Sequence, residues 1–511
     1  VGSYRKDGTC LAVLGTGSDV GKSVVVTALC RIFNDRGVDV VPFKAQNLSN
    51  NSFVTIDGGE MGRAQVVQAR AARVEPHVDM NPVLLKPCMD TGPQVVVHGK
   101  PMVADGGVEP AVLLGKARES LERLRQRHHL ILIEGAGSCA EINLRARDYA
   151  NFRMAHVADA PVLLVADIER GGVFAQIIGT LSLLAKKDRR RVCGLIVNRF
   201  RGDATFFRDG ITYLEQQTGL PVLGLVPFLD ELAIDFEDCV SLDTIVDPAE
   251  DIRSDRIHIA VLRLPHISNA TDFEPLARES CVRLHYLARL RDLNGYDLVI
   301  LPGSKNVRHD LAWLRTTGWA QRLQVYVDGG GVLCGICGGY QTLGHVIRDP
   351  SGIEGTAGDS AGLGLLDVET TLCRTKTLTR TSGLWMEDGI AVQGYEIHMG
   401  VTTRGATVLP TVEVTSRNGE ATHDHDGARS SDGKIWGTYL HGLFDASAFR
   451  RAMLARLRPD LIRAPIDARA RRGDQALVSF HDHQYDLLAE HFGHHLDVDR
   501  IAQMIGINGL R

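Results

Sequence analysis

No apolar run in this chain approaches the roughly 18 residues that a membrane-crossing helix needs. Charge of one sign is also missing. There are 57 Lys and Arg against 62 Asp and Glu, a net charge of −5, which offers no basic field to nucleic acid. Cysteine is sparse, with 10 in 511 residues, far from the density of a disulfide scaffold, so reduced thiols in a cytoplasm are expected. Residues 1–7 contain no apolar signal-peptide region and lead directly into an apolar run; with no initial Met, they do not define the true start. No internal repeat and no low-complexity tract is present. What is left is a cytoplasmic globular chain whose length predicts about two to four domains. Its oligomeric state stays open, a homo-oligomer included.

Short Val-, Ile- and Leu-rich runs punctuate the first half at Leu11 to Leu14, Val38 to Val41, Leu130 to Ile133, Val162 to Ala166, Val192 to Val197 and Val222 to Val226. Helical stretches alternate with them, the pattern of buried parallel strands with crossover helices. A second α/β series starts at Ile257 to Leu262 and continues at Leu298 to Leu301 and Val332 to Ile336. Leu363 to Val368 and Val412 to Thr415 read as antiparallel strands of a mixed sheet, and Arg417 to Asp432 as a polar loop. The expected division is a first α/β domain over 8–235, a linker over 236–255, a second α/β domain over 256–450 and a helical C-terminal extension over 451–511.

Between the first strand and a helix beginning at Lys22 lies Gly15-Thr16-Gly17-Ser18-Asp19-Val20-Gly21-Lys22-Ser23. Such a turn aims backbone N–H groups and a helix dipole at a phosphate. Gly17 and Gly21 shape the cradle, Lys22 neutralises the outer phosphates, and the Ser23 hydroxyl takes Mg²⁺. The strict motif has Gly where Thr16 stands, with Gly15 one residue earlier, so this is a variant. The variant resembles the loop of dethiobiotin synthetase and its relatives, which use ATP to activate a carboxylate. Glu134, ending the strand Leu130 to Ile133 in Ile133-Glu134-Gly135-Ala136-Gly137, is the second expected Mg²⁺ ligand. Asn198 has two open readings, a contact to the nucleotide base or a turn residue. Asp57 reads as a solvated loop carboxylate.

A second reactive turn is Gly335-Ile336-Cys337-Gly338-Gly339, a strand-to-helix elbow carrying a thiol. The helix start supplies N–H groups for an oxyanion, and Gly303 in a neighbouring loop is a further candidate donor. His441, in Gly437-Thr438-Tyr439-Leu440-His441-Gly442, is the expected base. Cys334 and Cys337 also spell C-x-x-C, but Cys334 falls inside the strand and no second ligand pair stands nearby, against redox and zinc readings. Thr422-His423-Asp424-His425-Asp426 reads as polar loop.

A Cys–His pair can open a glutamine amide and release ammonia. ATP with Mg²⁺ can turn a carboxylate into an acyl phosphate that ammonia displaces. Both intermediates must be shielded from water, which explains fusion on one chain.

The chain resembles the cobyric acid synthase family, glutamine amidotransferases of cobalamin biosynthesis. The resemblance rests on ordered segments along nearly the whole length, including Lys44-Ala45-Gln46-Asn47-Leu48-Ser49-Asn50-Asn51-Ser52, Asn81-Pro82-Val83-Leu84-Leu85-Lys86-Pro87, Leu301-Pro302-Gly303-Ser304-Lys305 and Gly394-Tyr395-Glu396-Ile397-His398-Met399-Gly400, with the Cys337 and His441 motifs. It implies a dethiobiotin-synthetase-like domain joined to a class I glutamine-amidotransferase-like domain. It further implies amidation of the b, d, e and g carboxylates of a corrinoid, adenosylcobyrinic acid a,c-diamide, with ATP, Mg²⁺ and glutamine as ammonia donor. A cobyrinic acid a,c-diamide synthase-like ligase, or a ligase for another polycarboxylate, is the alternative; Lys44-Ala45-Gln46-Asn47 favours the first. A P-loop switch ATPase carrying an inert amidotransferase fold is a rival of a different class. One departure concerns the base. Many class I amidotransferases carry Glu two residues after the catalytic His, where this chain has Leu443. Glu396 or another carboxylate is left to orient His441.

Overall fold

The structure is a computed structural model describing residues 7–87, 94–102, 108–229, 232, 255–462 and 473–507, with side chains of the last segment described from Phe480. Most of the expected linker, 236–254, lies outside the described residues. The first domain is built on a six-stranded sheet in the order Val222–Pro227, Val192–Phe200, Val162–Asp167, Thr9–Gly15, Leu130–Glu134, Val40–Phe43. Every neighbouring pair is parallel. All seven residues of Thr9–Gly15 except Thr9 are buried, as a strand covered on both faces must be. The central position of Thr9–Gly15 matters for function. Its C-terminal end lies beside those of Leu130–Glu134 and Val162–Asp167, with Val13 opposite Glu134 and Gly15 opposite Val165. Ligands of open α/β sheets bind at that edge.

The second domain repeats the logic. Its sheet runs Val282–Leu287, Ile257–Leu262, Leu298–Leu301, Leu333–Ile336, Ile435–Thr438, all parallel, closed by a short antiparallel Ala428–Arg429. A long antiparallel hairpin, Val368–Trp385 with Ile390–Arg404, leaves this domain and reaches the first. Leu378, Tyr395 and Ile397 from the hairpin join the core of the first domain.

Two expectations are corrected. Arg417 to Asp432 is not a loop throughout, because Glu420–Asp426 forms a strand paired with Val412–Arg417. It is an edge strand, mostly exposed, so it has no alternating apolar face to betray it. In the expected strand at Leu363 to Val368, strand geometry begins only at Val368.

The C-terminal helices Gly473–His495 and Val498–Met504 return to the first domain. Tyr485, Leu488, Phe492 and Ile501 pack with Val25, Leu29 and Phe33 of the helix Lys22–Asp35. Buried Arg31 ties the two layers, donating to Asp482 at 3.1 Å and to Asp486 at 2.8 Å. The end of the chain therefore braces the helix that carries the phosphate loop. No helix among the described residues is long and apolar enough to cross a membrane.

Candidate functional site

The glycine-rich turn after Thr9–Gly15 opens the fourteen-residue helix Lys22–Asp35. Gly21 holds φ +92°, and a Cβ there would lie 2.1 Å from Asn198 Nδ2, so glycine is required twice over. Lys22 Nζ donates to Gly17 O at 2.8 Å, folding the side chain over the loop. Asn198 is buried and donates to Val20 O at 3.0 Å. That contact buttresses the loop from the side. Ser23 Oγ donates to Glu134 Oε1 at 2.8 Å, so the two expected metal residues meet although 111 positions separate them.

Glu134 is fully buried at its strand end, yet it stays ionised. Burial alone would raise its pKa, but the Lys44 ammonium, then hydrogen bonds from Lys44, Gln68 and Ser23, hold it below the ordinary carboxylate range. Lys44 Nζ lies 2.8 Å from Oε1 and Gln68 Nε2 2.5 Å from Oε2. Asp57 instead accepts the Thr55 hydroxyl in the Thr55 to Gly59 turn. In front of Glu134 opens a cavity of about 1060 Å³. Lys22, Ser23, Lys44 and Glu134 form its polar end, and Leu85, Val95, Met102, Val108 and Leu113 an apolar wall. Its volume exceeds that of an ordinary small-ligand pocket, about 300–1,000 Å³.

At the second site, Cys337 caps the helix Gly338–Leu343 with φ 53° and ψ −107°, a strained conformation that lifts a nucleophile out of its strand. A Cβ on Gly339 would come within 2.0 Å of Leu301 O, so only glycine lets this helix seat against the neighbouring strand. Cys337 Sγ rests 3.5 Å from Ile397 O. Cys334, by contrast, is sealed in the strand between Ile300 and Trp436, and burial drives its thiol pKa well up. The described cysteines are free thiols.

His441 sits beside Cys337, and its Nδ1 is 2.6 Å from Asp272 Oδ2. Asp272 Oδ1 also accepts the Gly442 N–H at 3.1 Å, which fixes the carboxylate against the base. Burial would lower the imidazole pKa; the Asp272 carboxylate, then the Cys337 thiol, overcome it and lift the value to about 10. Tyr395 stacks on the ring at 5.4 Å and 18°. The third group that the sequence left open is therefore Asp272, not Glu396. Glu396 is engaged by Thr379 at 2.7 Å and by Arg417 at 3.2 Å. Asp272 lies 169 positions from His441. Its only signal is the polar run Ser268-Asn269-Ala270-Thr271-Asp272 soon after a buried parallel strand, where functional side chains gather. Gly303 is close as well. A Cβ there would stand 3.2 Å from His441 Cε1, and Ser304 N would lie 2.7 Å from a Cβ on Gly338. The Gly303 loop thus lies against both the base and the elbow.

Residues 11–238 match the CobQ/CobB/MinD/ParA nucleotide binding domain, and residues 258–449 match the CobB/CobQ-like glutamine amidotransferase domain. Cobyric acid synthase of Chlorobium phaeobacteroides (strain BS1) is 53% identical over 500 residues, covering 97% of this chain and 99% of its own. The chain belongs to the cobyric acid synthase family. Cobyric acid synthase of Chlorobaculum tepidum is 52% identical over 505 residues, with 98% of each chain covered. That of Syntrophobacter fumaroxidans is 44% identical over 512 residues, covering 97% and 98%. Membership makes this chain a glutamine-dependent amide ligase with a P-loop nucleotide-binding domain and an amidotransferase domain.

Asp272 makes a specific demand on the second site. Asp272→Asn keeps the shape but turns an acceptor toward His441 Nδ1 into an amide that can donate to it. We expect glutamine hydrolysis to fall by about 10⁴-fold, the loss that follows when a triad Asp becomes Asn. Amidation with ammonium salt should stay near the wild-type rate, and parallel assays of the two nitrogen sources check this.

Proposed function

We propose that this enzyme amidates the b, d, e and g carboxylates of adenosylcobyrinic acid a,c-diamide, giving adenosylcobyric acid, with one ATP and one glutamine for each amide. The observation that supports it most is the cavity before Glu134, whose phosphate-binding end opens onto an apolar wall. ATP accounts for the polar end. The apolar wall suits a large ring bearing several carboxylates, presented to the γ-phosphate one at a time.

Glutamine chemistry starts at Cys337. The thiol proton passes to His441, the sulfur attacks the side-chain amide carbon, and His441 gives the proton to the leaving nitrogen so that ammonia departs; water then hydrolyses the glutamyl thioester, releasing glutamate and restoring the thiol. Asp272 keeps the imidazole oriented throughout. In the first domain a substrate carboxylate oxygen attacks the γ-phosphorus and ADP leaves. Ammonia then attacks the acyl phosphate carbon and phosphate leaves, forming the amide. Lys22 neutralises the phosphates, and Lys44 keeps Glu134 charged and in place.

The residues fit a magnesium ion. Ser23 and Glu134 offer adjoining hard oxygens beside the phosphate loop, with the Lys44 ammonium 2.8 Å from the carboxylate. Bound there, Mg²⁺ would offset charge on the transferring phosphoryl group.

The test supplies the full chain with the corrinoid diamide, ATP, Mg²⁺ and glutamine and follows products by mass. Successive replacement of carboxyl OH by NH₂ is expected, one step per carboxylate. No mass change with glutamine or with ammonium salt overturns the proposal. A preference for a different polycarboxylate in direct competition would reassign the substrate.

A further inference from the structure

Two histidines and an aspartate meet beside the Gly303 loop, in a cluster that the glutamine chemistry does not use. His266 and Asp310 are buried, Asp310 fully, and the His309 side chain is half exposed. His266 Nδ1 stands 2.8 Å from Asp310 Oδ1, and His309 Nδ1 stands 3.8 Å from the same oxygen. The two imidazole rings meet edge to face, with centroids 4.6 Å apart at 84°. One ligand atom from each residue fits within a 4.8 Å span. Among the described residues this is the one group of three His, Cys, Asp or Glu side chains that closes to that distance.

Local sequence explains the convergence. His266 precedes the short strand Ile267–Ser268, which pairs antiparallel with Gly303–Ser304. The Lys305 N–H donates to His266 O at 2.9 Å and extends that pairing by one rung. The helix Val307–Thr316 then begins, capped by Asn306, whose Oδ1 accepts the His309 N–H at 3.0 Å. The first turn of that helix, with His309 and Asp310, therefore starts beside His266.

The spacing suits a tetrahedral ion. Zinc holds nitrogen and oxygen ligands at about 2.0–2.1 Å, which places neighbouring ligand atoms about 3.3–3.4 Å apart. The observed 2.8 and 3.8 Å bracket that separation. Both nitrogens belong to imidazoles, which ligate divalent transition ions in their neutral form, and the oxygen is a carboxylate's. Outer contacts are in place as well. Ser304 Oγ donates to Asp310 Oδ2 at 2.6 Å, and the His266 backbone N lies 3.3 Å from Oδ1. A ligating carboxylate is ordinarily held by such hydrogen bonds. The exposed side of His309 gives an ion a way in and leaves a fourth position to water.

We propose that His266, His309 and Asp310 form a site for a divalent transition-metal ion of the zinc class, which clamps the Gly303 loop to the segment leading to Asp272. Binding releases to solvent the proton between His266 Nδ1 and Asp310 Oδ1, and each of the three groups gives one electron pair to the ion. The clamp bears on the glutaminase because of where its two sides lead. Ile267–Ser268 runs on through Asn269 to Asp272, the group that holds His441. Gly303 and Ser304 lie against His441 and Gly338. The ion takes no part in the bond changes at Cys337; its three ligands are positioning residues.

The experiment titrates Zn²⁺, and separately Co²⁺, into the full chain, free of any histidine tag and in excess Mg²⁺, for wild type and His309→Ala. Half of the His309 side chain is exposed, so the variant should fold and, without added zinc, hydrolyse glutamine at the wild-type rate. The two proteins should differ by one bound ion per chain, with the visible absorption of tetrahedral cobalt and no thiolate charge-transfer band. Affinity at that site should fall at least 100-fold, beyond the roughly 10–100-fold that loss of an outer contact costs. Zn²⁺ should also slow amide hydrogen exchange over residues 303–306 in wild type and leave it unchanged in His309→Ala. Equal binding by the two proteins overturns the site, and so does a difference spectrum with thiolate bands. Zinc binding that leaves exchange over 303–306 unchanged in wild type overturns the clamp.

Discussion

Replacing Cys337 with serine is expected to abolish glutamine-driven amidation and to leave ammonia-driven amidation near its wild-type rate. The expectation follows from where the thiol sits. Its backbone is held at φ 53° on the elbow, with His441 beside it and Asp272 behind His441. Serine fits that space and keeps the fold, but an alkoxide is far harder to generate than a thiolate at the same base. Loss of a nucleophile that acts as one unit with its base removes about 10⁴-fold or more in turnover. The synthetase domain supplies its own groups at Lys22, Ser23, Lys44 and Glu134, none of which touches the elbow. Supplied ammonia should therefore still reach the acyl phosphate. Amide formation and glutamate release, assayed with glutamine and then with ammonium salt, check both halves. Full glutamine-driven turnover by Cys337→Ser would remove Cys337 as nucleophile. No effect together with no glutaminase activity in wild type would point to a P-loop switch protein carrying an inert amidotransferase fold.

The parallel strands were readable because strands covered on both faces must be continuous apolar runs, as in Leu11 to Leu14 and Leu298 to Leu301. The two reactive turns were readable because their chemistry demands glycine at fixed offsets from Lys22 and from Cys337. The approach of Ser23 to Glu134 was readable for a similar reason, since a carboxylate at the end of a strand adjacent to the loop has one place to go. Asp272 was not. It stands on a short 3-10 turn with no motif spacing, and only the packing of Ala270–Phe273 against Leu443–Asp445 aims it at His441. The hairpin Val368–Trp385 was hidden as well. Its stretch Thr375-Lys376-Thr377-Leu378-Thr379-Arg380 is polar by composition, because its partners are charged groups of the other domain, Glu60 and Glu75 among them. Periodicity reports burial against apolar neighbours and is silent where burial is electrostatic.

Lys22→Ala should remove amidation with either nitrogen source, the signature that separates the two domains. Lys22 begins the helix whose N-terminus faces the cavity, and its ammonium is already folded over the loop onto Gly17 O at 2.8 Å. Nucleotide phosphates entering that cradle would meet the backbone N–H groups and the helix dipole, but these are partial charges. The full positive charge has to come from side chains, and Lys44 is held on Glu134 at 2.8 Å. Lys22 is thus the group on the loop itself best placed to offset charge as the γ-phosphoryl transfers. Removing such a group from a preorganised site costs about 10²–10³-fold in turnover. Glutamine hydrolysis measured without the corrinoid should persist, because Cys337, His441 and Asp272 lie in the other domain. Lys22→Arg is expected to rescue only in part, since a planar guanidinium cannot repeat the compact turn that brings an ammonium back onto Gly17. Substantial amidation by Lys22→Ala with ammonium salt would show that the variant loop does not activate the carboxylate, and the acyl phosphate would then have to be formed elsewhere.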